Sequence, residues 1–216
     1  RYTLLEGGIL SVESDFKGVK SSKPVDVPRI GFRMRLPASA DSFSYLGRGP
    51  EENYADRFGG TLIGGYSSSA SKEYVRYVRP QECGHHIDCE YLSIGGLAIR
   101  SDRFEFNALR CAVEDLDSEE AVQRDYQWEN KGPLTENDPA KAKNRLRRQT
   151  HINDYVERDF VEVCVDYAQS GVGGYDSWGS RPDGDRCLWS DRDYSFRFAI
   201  VPARAMGVRK SLGFDF

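Results

Sequence analysis

Apolar and polar residues alternate along most of this chain, which is the two-residue period of a β-strand with one buried face. The clearest runs lie at residues 30–36, 104–108, 161–167 and 194–200. Weaker runs predict further strands at residues 9–13, 61–66, 87–94 and 97–101. In the first clear run, Ile30, Phe32 and Met34 alternate with glycine and arginine, so one face of that strand is expected to be solvated.

Turn signals, rather than helical patterns, separate the predicted strands. They are Glu6-Gly7-Gly8, Gly95-Gly96 and Pro182–Asp185. A parallel sheet needs crossover connections of about a dozen or more residues between its strands, usually helices, and these are missing. The sequence therefore predicts an all-β protein, built as a large antiparallel β-sandwich.

A polar insertion at about 118–149 interrupts the alternation and carries a basic cluster. The cluster consists of Lys141, Lys143, Arg145, Arg147 and Arg148. A stretch this long without predicted structure is uncommon inside a compact domain. Two interpretations stay open, a loop that is merely solvated or packed at an interface, and a loop that contacts an anionic partner.

Composition limits the classes of partner and compartment. The 216 residues include 30 Lys and Arg against 34 Asp and Glu, a net charge of −4 that argues against a general nucleic-acid binder. No apolar run approaches the roughly 20 residues of a membrane span. Five cysteines without a Cys-x-x-Cys pair favour a reducing compartment, so we expect a cytoplasmic protein, with the periplasm as the alternative. The chain starts at Arg1 without an initiator Met, as if cut from a longer chain.

Motifs of nucleophilic, dinucleotide and phosphate sites are missing from the sequence. Glycoside hydrolysis needs two carboxyl groups, roughly 5–10 Å apart, on either side of the scissile bond. Neighbouring acids such as Glu51-Glu52 would point to opposite faces of an extended chain. No motif therefore indicates a catalytic carboxyl pair, and a pair brought together only by the fold stays open.

The segment Cys83–Cys89 holds the densest group of metal-ligand residue types. On an extended strand, Cys83, His85 and Cys89 would share one face and His86 the other. The ends of that strand would lie about 20 Å apart, so a single zinc site would require a sharp bend. We expect ordinary strand residues here and no metal site.

A glycine-rich segment, residues 171–179, includes Trp178. Its glycines allow backbone conformations that other residues avoid, and such a turn can present an indole outward. The C–H face of a sugar ring packs well on an indole, and Asp176 and Ser177 could bond sugar hydroxyls. The alternative is a tryptophan buried in the core. A second dense segment, residues 47–57, predicts a turn pinned by Arg–carboxylate bonds and no reaction of its own.

Five segments of this kind follow one another along the chain. They are Pro28–Gly31, Tyr45–Arg57, Pro80–Gly84, Thr150-His151 and Gly171–Trp178. Their order and spacing resemble the C-terminal, small-chain domain of family 2 β-galactosidases, roughly from Tyr2 to Pro202. The resemblance implies a supersandwich related to galactose mutarotase. It also implies that residues 1–216 are the C-terminal part of that domain, with the insertion at about 118–149 added.

The function implied by the resemblance is a supporting role in a retaining β-galactosidase that hydrolyses terminal β-D-galactosides. The catalytic glutamates and the Mg and Na ions would belong to a central barrel outside this chain, so the chain alone is expected to be inactive and without a cofactor. Trp178, with Asp176 and Ser177, would bind substrate at the active-site mouth. The implied partners are the β-galactoside, the barrel domain and other subunits, with neither nucleic acid nor membrane.

Two departures from the family pattern restrict what can be transferred. Cys83 stands where the family usually has Asn, and the insertion is longer than the family's link before Thr-His. His151 is expected to make a structural hydrogen bond. Two other functions stay open, an independent lectin-like carbohydrate-binding module and a mutarotase-like isomerase. The isomerase would need a His acid and a Glu base in one cleft, and only His85, His86 and His151 are available.

Overall fold

The computed structural model describes residues 1–78, 82–116, 155–176 and 178–203. Within these residues the regular structure is nearly all β. The strands are β1 (Tyr2–Leu4), β2 (Leu10–Phe16), β3 (Asp26–Val27), β4 (Arg29–Pro37), β5 (Ser42–Gly49), β6 (Leu62–Ser69), β7 (His85–Ile94), β8 (Leu97–Leu109), β9 (Phe160–Gln169), β10 (Leu188–Trp189) and β11 (Tyr194–Pro202). Short 3₁₀ turns lie at Glu6–Gly8, Val113–Leu116 and Gly184–Arg186. The insertion at about 118–149 and His151 lie outside the described residues.

Nine of the described strands form one antiparallel sheet, which branches at β8. Along one edge of β8, residues 97–100 pair with β11, whereas residues 105–109 pair with β9. Strand β7 follows the other edge over both parts. The sheet continues as β2 and β1 beyond β11, as β4 beyond β9, and as β5 and β6 beyond β7, while β3 and β10 pair separately. The predicted antiparallel all-β fold is confirmed.

The core lies between the two arms of this branched sheet. Strands β4 and β11 are not neighbours in the sheet, yet Phe32 of β4 lies 5.3 Å from Phe198 of β11 between ring centroids. Phe106 of β8 is fully buried and contacts the rings of Phe43 and Tyr45 at 5.7 and 5.2 Å. Side chains from both arms therefore fill one aromatic core, as in a β-sandwich.

The polar positions of the alternating strands have two different environments. On β4, Arg33 and Arg35 are exposed, as the alternation predicts. On β8 and β9, however, Glu105, Asn107 and Asp166 are almost completely buried. On this face Asp166 and Asn107 bind Arg29, and Glu105 binds His85 and the Gln169 N–H. The alternation predicts the strands correctly, but it cannot tell a solvated polar face from a covered one.

Two strands differ from the predictions: β8 is longer than predicted, and β5 has no predicted counterpart. Residues 97–101 and 104–108, predicted as two strands, are one strand, β8, and the Ser101 hydroxyl donates to the Arg197 carbonyl at 2.7 Å near the change of partner. The alternation does not predict strand β5, because two of its four buried positions are glycines, Gly47 and Gly49, which carry no hydrophobic side chain. Gly47 is needed there, since a Cβ at this position would lie 2.3 Å from Cys89 Sγ.

The turn at Gly95-Gly96 is confirmed as the link between β7 and β8. Both residues have positive φ, 57° and 78°, which only glycine adopts readily. Among the described residues, no helix has both the length and the apolar character needed to span a membrane. The described chain therefore consists of the branched sheet, the small β3–β10 pair and the connections between strands.

Replacing Phe106 with Ala tests the proposed position of the core. The ring is 0% exposed and contacts both neighbouring strands, so its removal should lower the free energy of unfolding by about 3–5 kcal/mol. Urea unfolding of the chain, followed by circular dichroism, measures the change. The control is Leu62→Ala on the edge strand β6, where the side chain is 74% exposed and a change below about 0.5 kcal/mol is expected. Equal effects of the two changes would contradict this placement of the core.

Candidate functional site

The glycine-rich loop after β9 forms a tight projection from the sheet. Gly173 and Gly174 adopt φ of 62° and 72°, in the left-handed region that favours glycine. The Gly174 N–H donates to the Ser180 carbonyl at 2.8 Å, which closes the loop around residues 175–179. The sequence therefore folds locally into a turn with Trp178 at its outer end.

Trp178 is 93% exposed, so it is not a core residue of the described chain. Its backbone N–H donates to Asp176 Oδ1 at 2.8 Å, and the Ser180 N–H donates to the same oxygen at 3.2 Å. Asp176, predicted to bind sugar hydroxyls, thus also fixes the backbone that carries the indole. Ser177, the third predicted binding residue, lies outside the described residues.

Hydrogen bonds from the turn between β5 and β6 fix the glycine-rich loop at its start. Asp56 accepts hydrogen bonds from the N–H groups of Val172 at 3.0 Å and Gly173 at 2.8 Å. It also accepts one from the Tyr175 hydroxyl at 2.9 Å. Arg57 Nη2 donates to the Gly173 carbonyl at 3.0 Å. The two segments that stood out separately in the sequence therefore form one structure.

The surroundings of the Asp56 carboxyl favour its ionised form. Burial on its own would raise its pKa, but the donors from Gly173, Val172 and Tyr175 outweigh burial, so the pKa is lowered. An ionised carboxylate is the stronger acceptor for these donors. The interaction that holds the loop therefore persists at neutral pH.

The predicted Arg–carboxylate bond of the 47–57 segment is present for Arg48, whereas Arg57 binds a carbonyl. Arg48 Nε donates to the carboxylate of Asp88 on β7 at 2.9 Å, and Arg57 donates to a carbonyl of the loop. The segment is fixed mainly by Asn53, which is fully buried. The Asn53 N–H donates to the His85 carbonyl at 2.7 Å, and its Oδ1 accepts from the Ile87 N–H at 2.8 Å.

Glu52 adds a second connection between this turn and the start of β7. Its carboxylate accepts from the Gly84 N–H at 2.8 Å and from the Tyr54 hydroxyl at 2.9 Å. The Tyr77 hydroxyl donates to its other oxygen. Sequence reasoning singled out neither Glu52 nor Asn53 by role. Their position in the Gly-Pro-Glu-Glu-Asn-Tyr run was the available signal.

A buried polar layer lies behind the turn, on β4, β7, β8 and β9. Arg29 Nη2 donates to Asp166 Oδ2 at 2.6 Å, and His85 Nε2 lies 2.9 Å from Glu105 Oε2 in a hydrogen bond. Burial raises the pKa of Glu105 to about 7 and, partly offset by Arg29, that of Asp166 to about 6. Burial, followed by the nearby Arg29 charge, lowers the pKa of His85 to about 3. The layer therefore holds His85 neutral at neutral pH.

The segment Cys83–Cys89 is not arranged as a ligand set. His85 faces Glu105, whereas His86 Nε2 lies 2.9 Å from Glu73 Oε2. Burial raises the pKa of the Cys83 thiol to about 12, and thiolates rather than thiols bind metals. No group of three His, Cys, Asp or Glu within the described ranges could hold a metal ion.

Accessibility separates the groups that could meet a substrate from those that could not. His85 and His86 are 0% exposed, so neither can reach a sugar in this structure. Among the described residues of the loop, the exposed aromatic groups are the Trp178 indole and, at 55%, Tyr175, and the Asp176 carboxylate is exposed beside them. An exposed aromatic pair on a fixed loop can bind the apolar face of a ring, but it cannot transfer protons in a hydrolysis.

Comparison with known proteins agrees with the order of the motifs. A family model described as β-galactosidase small chain matches residues 1–200. The chain is 28% identical to a β-galactosidase of Priestia megaterium, over 93% of this chain and 17% of that protein. It is 30% identical to those of Pseudoalteromonas haloplanktis and Streptococcus thermophilus, over 93% and 90% of this chain. The chain spans 16–17% of the length of these three relatives.

The pH dependence of stability tests the assignment of charges in the buried layer. Between pH 6.5, the ordinary pKa of histidine, and pH about 3, the pKa of His85 in the folded chain, only the unfolded chain binds a proton at His85. Stability therefore falls as the pH is lowered through this range. For Glu105, the folded chain binds the proton first, between pH about 7 and its ordinary pKa of 4.5, which raises stability. The two effects oppose each other between pH 4.5 and 6.5.

Glu105→Gln removes one of these effects and should expose the other. Relative to the variant, the parent chain should gain unfolding free energy as pH falls from about 7 to 4.5, by roughly 2–3 kcal/mol, and gain nothing further below 4.5. Urea unfolding at a series of pH values measures this difference. Glu90→Gln, at an exposed position of β7, is the matched control and should change the free energy of unfolding by less than about 0.5 kcal/mol. A pH-independent difference for Glu105→Gln would refute the assignment.

Proposed function

The chain belongs to the β-galactosidase small-chain family, and from this premise we propose that it is a non-catalytic domain of a retaining β-galactosidase. The full enzyme would hydrolyse terminal β-D-galactosides, and this domain would form one wall of its active site. The observation that carries the proposal is the exposed Trp178 indole on a loop fixed by hydrogen bonds.

The exposure of Trp178 supports a binding role rather than a structural one. An indole that is 93% exposed contributes little apolar burial to the stability of this domain. The loop around it nevertheless uses glycines with positive φ and several hydrogen bonds to keep one conformation. A binding group that is already fixed loses less entropy when its ligand binds. The loop is therefore suited to offer the indole as a ready surface.

The proposed chemistry divides between this domain and the rest of the enzyme. A retaining hydrolase needs a nucleophile and an acid/base carboxyl about 5–5.5 Å apart, and we assign both to the barrel domain. The Mg and Na ions are assigned to the barrel as well, since the described residues offer no ligand set for them. The relatives' much greater length supports such a partner domain. Contacts with other subunits belong to the same proposal.

Within that enzyme, Trp178 would act on binding and orientation. Its face would pack on the sugar ring and on the aglycone, and it would shield that side of the ring from water. A stacking contact made equally in the bound substrate and the transition state lowers KM without raising kcat. Trp178 is therefore a binding residue, and the proton transfers of hydrolysis take place on other groups.

The state of the cysteines supports a reducing compartment for the enzyme. All five, Cys83, Cys89, Cys111, Cys164 and Cys187, are free thiols in the structure. Disulfides form readily in oxidising compartments and rarely in the cytosol. A cytoplasmic location, with the periplasm as the alternative, is thus part of the proposal.

Trp178→Ala in the full-length enzyme tests the proposed stacking of the indole on the sugar. Loss of a stacking contact worth about 1 kcal/mol should raise KM for a chromogenic β-galactoside about fivefold and change kcat by less than about twofold. Steady-state kinetics measures both constants. Trp178→Phe keeps an aromatic face and should restore part of the affinity. Because the indole is exposed, neither change should alter thermal unfolding. An unchanged KM for Trp178→Ala would remove Trp178 from the binding site.

The chain on its own should be inactive. We expect no turnover of a chromogenic β-galactoside and no millimolar binding of galactose or lactose, measured by tryptophan fluorescence. Saturable binding without turnover would favour the lectin-like module, since such a module needs no barrel. Accelerated interconversion of α-galactose in polarimetry would favour the isomerase. Turnover of the galactoside would show that a catalytic carboxyl pair lies on this chain after all.

A further inference from the structure

We propose that Asp56 is a positioning residue for substrate binding, acting on the sugar through Trp178. The inference rests on the proposed function, because it assumes that the Trp178 indole contacts the galactoside. Asp56 lies on the turn between β5 and β6, more than a hundred positions before the loop that it contacts. It is not within the glycine-rich segment, so the motif around Trp178 does not include it.

The contacts of Asp56 fix the loop in both position and direction. Its two oxygens accept from successive backbone N–H groups, those of Val172 and Gly173, at 3.0 and 2.8 Å. A carboxylate that binds two successive amides restricts rotation of the peptide between them. The Tyr175 hydroxyl adds a third donor at 2.9 Å, beyond the glycines and nearer to Trp178.

The glycines of the loop are matched to this carboxylate. A Cβ at Gly171 would lie 2.6 Å from the carboxyl carbon of Asp56, so only glycine admits the carboxylate at that distance. A Cβ at Gly173 would lie 2.5 Å from the Ser180 carbonyl oxygen, on the returning side of the loop. The loop therefore closes tightly around Asp56 on one side and around its own chain on the other.

The hydrogen bonds of Asn53 and the short backbone segment from Asn53 to Asp56 connect Asp56 to the interior of the sheet. Asn53, three residues earlier, binds the backbone of β7 at His85 and Ile87. From there the connection passes through the turn to Asp56, then to Gly173, and ends at the exposed Trp178. The indole thus sits on a loop whose base is joined to the core, which suits a rigid binding surface.

The contacts of the Asp56 carboxylate favour a structural task over a catalytic one. Its oxygens already receive two amides and one hydroxyl, and those donors lower its pKa, so it is a poor proton donor at neutral pH. Its effect on a sugar must therefore pass through the loop. Asp56 therefore helps to position Trp178 and takes part in no step of the reaction.

A double-mutant cycle in the full-length enzyme separates this role from a general structural one. Asp56→Asn keeps the shape but places an amide donor against the loop's donors, so KM for a chromogenic β-galactoside should rise about fivefold with kcat within about twofold. In a Trp178→Ala background the same change should alter KM by less than about twofold, because the group through which it acts is gone.

Two further variants make the outcome decisive. Asp102→Asn, at an exposed position of β8, is the matched control and should leave KM unchanged. Tyr175→Phe removes one hydroxyl donor and stands in if Asp56→Asn fails to fold; it should raise KM about twofold, again only when Trp178 is present.

The possible results distinguish this inference from the proposed function. If Trp178→Ala raises KM but Asp56→Asn and Tyr175→Phe do not, Asp56 is not a positioning residue, and the proposed role of Trp178 in sugar binding is retained. If Asp56→Asn raises KM equally with and without Trp178, Asp56 acts by another route and the inference is overturned. If Trp178→Ala itself leaves KM unchanged, the proposed role of Trp178 in sugar binding is refuted, and this inference is refuted with it.

Discussion

Strand β8 must satisfy its backbone hydrogen bonds along both edges over 13 residues, and on one edge no single neighbour does so. Strand β11 takes residues 97–100 and β9 takes residues 105–109. An unpaired buried amide or carbonyl costs about as much as a lost hydrogen bond, so this exchange of partners has to be nearly continuous. It forces β11 and β9 to diverge, and the aromatic core fills the space between the two arms.

The same exchange explains why charged groups are buried on the opposite face. The second half of β8 and all of β9 are central in the sheet, and the turns that cover them bring the start of β7 against Glu105 and Asp166. Buried charges are costly unless they are paired and hydrogen-bonded. Here Arg29 pairs with Asp166, and Glu105 has His85 and a backbone amide as partners. Such a network fixes the position of the strands that carry it, which gives the turn above it a firm base.

The sequence could predict this fold only as far as local pattern determines it. Strands such as β4 and β11 follow from alternation, because their burial differs between the two faces. Strand β5 escapes the pattern because its alternation is clear only at Phe43 and Tyr45, and the next buried positions are glycines without a hydrophobic side chain. The exposure of Trp178 could not be predicted from spacing, since a glycine-rich turn can direct an indole inward or outward. The bonds from Asp176 to the backbone amides of Trp178 and Ser180 could not be predicted either, and its contact with sugar hydroxyls stays a prediction. The contact of Asp56 with the loop joins segments more than a hundred residues apart, a distance that no local rule spans.

The division of roles between buried and exposed groups has a consequence for the enzyme as a whole. The histidine and the carboxyls with strongly displaced pKa values, His85, Glu105 and Asp166, are buried and face one another or Arg29. The group proposed to meet the sugar, the Trp178 indole, does not titrate, and the carboxylate that holds its loop has a lowered pKa. The protonation changes of His85, Glu105 and Asp166 thus take place in the interior of this domain, and not on the loop that carries Trp178. In the proposed enzyme, a wall built in this way would keep its own charge while the catalytic carboxyl groups of the barrel domain gain and lose protons. One carboxyl of a retaining glycosidase acts first as an acid and then as a base, and a neighbouring surface of constant charge would not disturb that cycle.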